Sequence, residues 1–207
     1  PRSRLGGHIQ PLSHCQLMLA EGKGLDVVTG CQIIGPLFPL REDLVHQARG
    51  FYLMELIDCF CPEGLENPAL FSLLVDTLEH LCLGEGGERV LRRFEVCLLD
   101  ITGFRPELHR CLGCQQALEP VTNYLSPSAG GLLCRACAPE QSPVHSVSVN
   151  TVKVLRLLRE ADMETVNRLN LAPDLAAELE AALRSYIQYV LERSIKSGVW
   201  LERLRRE

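Results

Sequence analysis

Two short cysteine pairs, Cys111-Leu-Gly-Cys114 and Cys134-Arg-Ala-Cys137, decide how the middle of this chain folds. Each C-x-x-C unit presents two sulfurs from one tight turn, and 19 residues separate the two units. The stretch Ser126-Pro-Ser-Ala-Gly-Gly131 between them is rich in turn residues and flanked by apolar ones, which predicts a β-hairpin that brings the pairs together. This spacing is typical of tetrahedral zinc sites. We therefore predict a zinc ribbon at residues 104–140, with four ligands: Cys111, Cys114, Cys134 and Cys137.

The predicted metal ion is structural, because four thiolates fill the coordination sphere of zinc and leave no position for a reactive water. The His-x-Glu and Pro-Cys-x-x-Cys signature of zinc deaminases is also absent from the sequence. The alternative is that the two pairs form disulfide bonds. Six further cysteines without regular spacing argue against disulfides and for a reducing compartment. We expect these six to be reduced, largely buried thiols: Cys15, Cys31, Cys59, Cys61, Cys82 and Cys97.

The composition is that of an ordinary globular protein, with 207 residues of which 46% are hydrophobic and 23% charged. No apolar run is long enough to predict a transmembrane helix. The sequence also lacks an export signal, which favours a cytoplasmic location. The chain begins at Pro1 without an initiator methionine, from which we expect that an N-terminal portion precedes it.

The predicted secondary structure is mainly α with a small β part. Residues 14–19 and 25–34 have the pattern of two strands joined by a glycine-containing turn. Because two strands alone are marginally stable in water, we expect them to belong to a larger sheet. Apolar periodicity and end signals predict helices near residues 39–60, 67–84, 88–101, 148–160, 164–169 and 173–194.

The sequence offers no set of residues suited to catalysis. It has no phosphate-binding G-x-x-x-x-G-K-[ST] motif, no nucleophile elbow and no clustered catalytic carboxylates, so we predict that the protein is not an enzyme.

The net charge of −5 is unevenly distributed. Ten acids and a single base, Arg49, lie within residues 42–88, whereas the rest of the chain holds 20 bases and 16 acids. Segregated bases permit phosphate contacts, although a solvated face with salt bridges is the plain alternative for each group. The groups are Arg2 and Arg4; Arg89, Arg92 and Arg93; Lys153, Arg156 and Arg159; and Arg203, Arg205 and Arg206.

Taken together, these motifs resemble the RecO family of bacterial recombination mediators. The resemblance covers nearly the whole chain in the family's order, and the Leu-Arg-Arg-Phe-Glu and Tyr-Leu-Ser-Pro segments make it specific. The segments that carry it are Pro1-Arg-Ser-Arg-Leu5, Gln10-Pro-Leu12, Pro39-Leu-Arg-Glu-Asp-Leu44, Leu91-Arg-Arg-Phe-Glu95, Gly103-Phe-Arg-Pro-Glu-Leu108, the two cysteine pairs, Tyr124-Leu-Ser-Pro-Ser-Ala-Gly-Gly131 and residues 191–196.

The resemblance implies a fold with two parts. Such proteins have an N-terminal OB-fold barrel, which binds DNA, followed by a helical domain interrupted by a zinc ribbon. On this basis we assign residues 1–38 to the C-terminal part of a partial OB-fold, its last two strands, and residues 39–207 to the helical domain. The first three barrel strands would then precede Pro1.

The resemblance also implies a function and partners. RecO-like proteins bind and anneal single-stranded DNA and help RecR load RecA onto strands coated by single-strand DNA-binding protein (SSB). They work in the bacterial cytoplasm, with the nucleoid. We expect DNA contacts from Arg2, Arg4, Arg203, Arg205 and Arg206, and contacts with the acidic SSB tail from Arg89, Arg92, Arg93, Lys153, Arg156 and Arg159. The alternative is a zinc-ribbon adaptor that binds proteins but not nucleic acid, which the acidic segment 42–88 favours.

Overall fold

A computed structural model describes residues 9–35, 37–84 and 86–204 of the chain. Its elements are two strands, then helices, then a small sheet, then further helices. They are β1 (His14–Ala20), β2 (Val27–Gly35), α1 (Pro39–Glu42), α2 (Leu44–Phe60), α3 (Pro68–Cys82), α4 (Gly87–Ile101), β3 (Asn123–Ser126), β4 (Gly131–Leu133), β5 (His145–Val147), α5 (Val149–Glu160), α6 (Met163–Arg168), α7 (Pro173–Leu191) and α8 (Lys196–Leu204). The predicted fold class, mainly helical with a small β part, is confirmed.

The N-terminal strands pair as the predicted antiparallel hairpin. Leu17 lies opposite Cys31, and Leu19 lies opposite Val28. Large apolar side chains on both strands are exposed, among them Met18 at 67% and Ile34 at 57%. The hairpin of β1 and β2 therefore buries little apolar surface by itself, as expected of two strands that belong to a larger sheet.

Local capping signals set the helix boundaries. Asn67 accepts a hydrogen bond from the Leu70 N–H and is followed by Pro68 in the first turn, as predicted. The single helix expected over residues 39–60 is instead two, because Asp43 has extended backbone angles and caps α2 through the His46 N–H. A side-chain cap competes with the helix here and turns the chain.

Helix α4 is the centre of the hydrophobic core. Its residues Val90, Leu91, Phe94, Leu98 and Leu99 have no exposed surface. Helices α3, α5, α6 and α7 pack around it. The core is therefore a cluster of helices with α4 at its centre. No helix in the described part of the chain is long and apolar enough to cross a membrane.

Two elements were not predicted from the sequence. The helix expected to run to residue 194 ends at Leu191, because Glu192 adopts a left-handed conformation with φ 53°. The chain then turns into α8, which packs mainly against α2. The other unpredicted element is β5, which pairs with β3 and makes the ribbon sheet three-stranded, in the order β4-β3-β5.

Candidate metal centre and basic surfaces

The four predicted ligands come together in the structure. The sulfurs of Cys111, Cys114, Cys134 and Cys137 all lie within 4.8 Å of one another. The Cys114 and Cys134 sulfurs are 3.9 Å apart. Four sulfurs at about 2.3 Å from a tetrahedral zinc ion would be separated by about 3.8 Å. The donor set and its dimensions therefore fit a zinc ion, and these four residues can hold a metal.

Each knuckle is shaped by its own backbone. The Gln115 N–H donates to the Cys111 carbonyl at 2.8 Å, and the Cys137 N–H donates to the Cys134 carbonyl at 3.1 Å. Gly113 is required because a Cβ at that position would lie 2.8 Å from the Cys137 sulfur. A side chain there would occupy the space between the two knuckles.

The electrostatics of the site favour a bound cation. Burial tends to raise the pKa of Cys111, but N–H groups of Cys114, Cys134 and Gly113 point at its sulfur and lower this pKa to about 6. The pKa of Cys137 is raised to about 12, chiefly because its thiol is hydrogen-bonded to Cys134. A thiolate at Cys111 near a protonated thiol at Cys137 is the state expected of a cluster that releases a proton when a metal binds.

Hydrogen bonds attach the zinc ribbon to the helical domain at residues 107–108, where the chain enters the ribbon. Glu107 joins the hairpin edge, where its N–H donates to the Gly130 carbonyl at 3.0 Å and its carbonyl accepts from the Leu132 N–H at 2.9 Å. The next residue, Leu108, offers its carbonyl to the guanidinium of Arg156 on α5, with Nε at 3.1 Å. Arg156 thus ties the ribbon to the helices three residues before its first ligand.

Several predicted partner-binding bases have the same kind of internal role. Arg93 Nε donates to the Ala161 carbonyl at 3.1 Å, and Arg89 donates to the Leu169 carbonyl. Both bonds run from α4 to the segments that flank α6. Guanidinium groups of Arg89, Arg93 and Arg156 therefore satisfy backbone carbonyls between helices, which leaves each group only partly available to a partner.

Arg92 requires a correction. Its side chain is 6% exposed and forms an ion pair with the fully buried Glu95 at 2.9 Å. This burial argues against the expected contact between Arg92 and the acidic SSB tail, because the helix turns this arginine into the core. The sequence pattern predicted three arginines on this helix but did not show which of them faces the core.

The remaining basic candidates are at or near the surface. Lys153 and Arg203 are exposed, whereas Arg159 is half-buried and pairs with Glu160 at 2.6 Å. Arg2, Arg4, Arg205 and Arg206 lie outside the described residues. The predicted DNA contacts therefore stay predictions.

Comparison with known proteins gives a consistent answer. A family model for the C-terminal part of recombination protein O matches residues 41–198. The DNA repair protein RecO of Dehalococcoides mccartyi is 40% identical over 205 residues, covering 99% of this chain and 81% of that protein. RecO of Roseiflexus is 37% identical, over 98% of this chain and 72% of its own length, and that of Desulforamulus reducens is 33% identical, over 99% and 79%.

The chain belongs to the RecO family.

Membership in the RecO family makes the Leu-Arg-Arg-Phe-Glu segment of α4 informative in the structure. Its last residue, Glu95, also accepts a hydrogen bond from the Tyr52 hydroxyl at 2.7 Å. Burial raises the pKa values of Glu95 and Tyr52, and the charge of the neighbouring Arg92 guanidinium opposes both shifts. This segment therefore carries a buried ion pair within α4, which a hydrogen bond from Tyr52 joins to α2, and it is not a surface patch.

The six cysteines outside the ribbon are half-buried and not largely buried as expected, and their reduced state stays a prediction. One residue that shapes the molecule, Glu55, had no local signal in the sequence. Glu55 caps α8 from α2, accepting from the N–H groups of Lys196 at 3.0 Å and Ser197 at 2.7 Å. This contact joins residues about 140 positions apart, so no short motif indicates it.

Proposed function

We propose that this RecO-family protein acts in DNA repair as a recombination mediator that binds and anneals single-stranded DNA. The observation that carries the proposal is the similarity to proteins named DNA repair protein RecO, one of which is 40% identical over 99% of the chain. This role would place the protein in the cytoplasm with the nucleoid.

Annealing needs no bond-making chemistry. Two strands meet when cationic side chains screen their phosphates, and each neutralised phosphate releases condensed counterions. The metal would contribute structure alone: zinc on Cys111, Cys114, Cys134 and Cys137 cross-links two knuckles and leaves no site for a reacting group. Exposed bases such as Lys153 and Arg203 would supply part of the cationic surface.

The proposed partners are RecR, the SSB tail and, through them, RecA. An acidic tail that ends in an aromatic residue needs an apolar recess with a cation at its rim. One recess of about 560 Å³ has a polar lining that includes Arg89 and His80, whereas a smaller one of about 80 Å³, between the ribbon and α5, combines Lys153 with apolar side chains such as Val152. These two recesses replace the surface around Arg92 as the candidates for the tail.

The test of DNA binding is the annealing of two complementary labelled oligonucleotides with and without the zinc-loaded protein. We expect faster annealing, and an affinity for single strands that falls linearly with the logarithm of salt concentration. An unchanged annealing rate together with no detectable DNA binding at low salt would refute the proposal.

The tail is tested separately by calorimetry with an acidic peptide that ends in an aromatic residue. Lys153→Glu should weaken binding if the smaller recess is the receptor, and Arg89→Glu should do so if the larger one is. Equal affinity in wild type and both variants would exclude both recesses.

A second candidate function is a zinc-ribbon adaptor that binds proteins but not nucleic acid. The acidic surface of α2, α3 and the loop between them favours it, because Asp58, Glu63, Glu66, Asp76 and Glu79 are exposed there. Such a surface repels a polyanion. Salt-dependent binding to single-stranded DNA separates the two functions, since the adaptor predicts none.

A further inference from the structure

Helix α8 presents an apolar and cationic stripe to solvent. Lys196, Val199, Trp200 and Arg203 follow one another at positions i, i+3, i+4 and i+7, so they share one face of the helix. Val199 is 46% exposed and Trp200 is 37% exposed. The α8 stripe, meaning these four residues, therefore places an indole ring between two cations about one turn away on either side.

The other face of α8 is anchored in the core, which keeps the stripe in place. Leu201 is 2% exposed, and Ile195, just before the helix, is 5% exposed. Gly198 lies against the Tyr52 ring on α2. The first turn is capped by Glu55, and Glu202 forms an ion pair with Arg184 on α7. The stripe is thus presented by a fixed element and not by a loose chain end.

Trp200 is supported on one side and open on the other. Its ring centroid lies 6.4 Å from that of Phe51, with an angle of 50° between the rings. Phe51 covers part of the indole, and more than a third of the residue still faces solvent. A large aromatic side chain held in place and left accessible is the usual platform for a nucleobase.

The charges around the ring favour a polyanion. Arg203 and Lys196 are exposed, and Arg193 is exposed just before the helix. Two neighbouring carboxylates have other tasks: Glu202 pairs with Arg184, and Glu55 accepts backbone N–H groups while also facing Lys196. The stripe therefore carries cations at both ends while its neighbouring acids are used inside the fold.

We infer that the α8 stripe binds single-stranded nucleic acid, with a base stacked on Trp200 and phosphates contacted by Lys196 and Arg203. This inference rests on the proposed function and assigns it a site. A helix face is convex, so it offers a flat ring a surface to lie on, whereas an apolar peptide side chain needs a groove. Membrane insertion is disfavoured because the apolar side of α8 is already buried in the core.

The chain has a single tryptophan, so its fluorescence reports on this site alone. The experiment titrates the zinc-loaded protein with oligothymidylate and follows Trp200 emission, while the anisotropy of a labelled strand measures total binding. We expect quenching of Trp200 that saturates together with the anisotropy change and reverses when salt is added.

Substitutions test the parts of the stripe. Trp200→Ala should weaken binding about five- to tenfold, which is the lower part of the range for the loss of one stacked base. We expect the lower part because Phe51 already covers part of the indole ring. Trp200→Phe keeps an aromatic ring and should bind within about twofold of wild type. Arg203→Ala should lower the slope of affinity against salt by about 0.7. Arg168→Ala is the matched control, since Arg168 is also an exposed arginine in the last turn of a helix.

The outcomes separate the site from the function. If the strand binds by anisotropy but Trp200 emission is unchanged and Trp200→Ala binds as tightly as wild type, the stripe is not the site and the proposed function stands. If wild type binds no strand at all, both are wrong. If oligoglutamate or anionic vesicles quench Trp200 as well as oligothymidylate does, the stripe is a general anion surface and base stacking is refuted. If Trp200→Ala does not fold, the wild-type quenching and Arg203→Ala still decide.

Discussion

At the scale of single residues, the buried ion pair of Arg92 and Glu95 has the largest consequence. Both side chains are almost completely removed from water, and Tyr52 donates to the same carboxylate oxygen. Removing one partner of a buried pair leaves an uncompensated charge, which costs about 3–5 kcal/mol. Glu95→Gln should lower the free energy of unfolding by that order, as measured by urea denaturation.

The control is the exposed pair Glu164 and Arg168 on α6, whose side chains are 71% and 76% accessible. Glu164→Gln should change the free energy of unfolding by less than about 0.5 kcal/mol, because solvent screens exposed pairs. Equal effects of the two substitutions would show that the Glu95 site is not desolvated.

A second residue-scale prediction concerns the metal ligands. Cys134→Ser should release zinc and lower the melting temperature, because the serine hydroxyl is a poor zinc ligand and three thiolates hold the ion less tightly. Cys97→Ser is the control, since Cys97 is a half-buried free thiol on α4 whose pKa is raised by burial. Zinc content by elemental analysis should be about one per chain in the control. Full retention in Cys134→Ser would contradict the assignment.

At the scale of elements, Arg156 joins the ribbon to α5. Its guanidinium reaches the Leu108 carbonyl through both Nε and a terminal nitrogen. Arg156→Ala should loosen this attachment and speed hydrogen exchange in the ribbon, including the Leu112 amide that bonds to Leu132. Lys153→Ala, one turn earlier and exposed, should leave exchange unchanged. Unaltered protection in Arg156→Ala would mean that the hairpin holds the ribbon without it.

The start of α2 gives a prediction about pH. Hydrogen bonds from the backbone N–H and side chain of His46 lower the pKa of Asp43 below its usual value. A lowered pKa in the folded state adds stability above the unfolded pKa, and this stability is lost as the pH falls through the folded pKa. Below about pH 4, the urea concentration at which Asp43→Asn unfolds should therefore change less with pH than the urea concentration at which wild type unfolds. Identical acid dependence of both proteins would refute this role for the cap.

At the scale of the whole molecule, the knuckles have a small hydrophobic cluster beside the main core. The main cluster is built around α4 and includes Leu125 and Leu132 of the ribbon hairpin, whereas the fully buried members of the knuckle cluster, among the residues that the structure describes, are Cys111, Leu133 and Ala138. A core this small cannot hold a fold together, so we expect a bound metal to supply the missing free energy.

Removal of the metal should therefore act on one part of the molecule. A strong chelator should make residues 109–140 sensitive to limited proteolysis, while far-UV circular dichroism retains the signal of the helices. Global loss of helicity on chelation would show that the two cores fold as one unit.

Local sequence patterns predict much of this architecture. The cysteine pairs, the turn at residues 126–131 and the cap at Asn67-Pro68 are local patterns, and local geometry follows from them. Helix α8 was missed because its formation depends on Glu55, a residue of α2, and on Glu192 adopting a left-handed turn that only glycine or asparagine usually indicates. Strand β5 was missed because three residues carry too little periodicity.

The sequence by itself determined which four cysteines come together as candidate metal ligands, because two knuckles of fixed spacing need no distant partner to present their sulfurs. Only the tertiary structure decided which basic side chains face solvent. Arg92 and Arg203 both lie on predicted basic segments, yet Arg92 is buried against Glu95 and Arg203 is exposed on α8. The reason is physical: coordination spacing is a property of the local backbone, whereas burial depends on the helices that pack around a side chain.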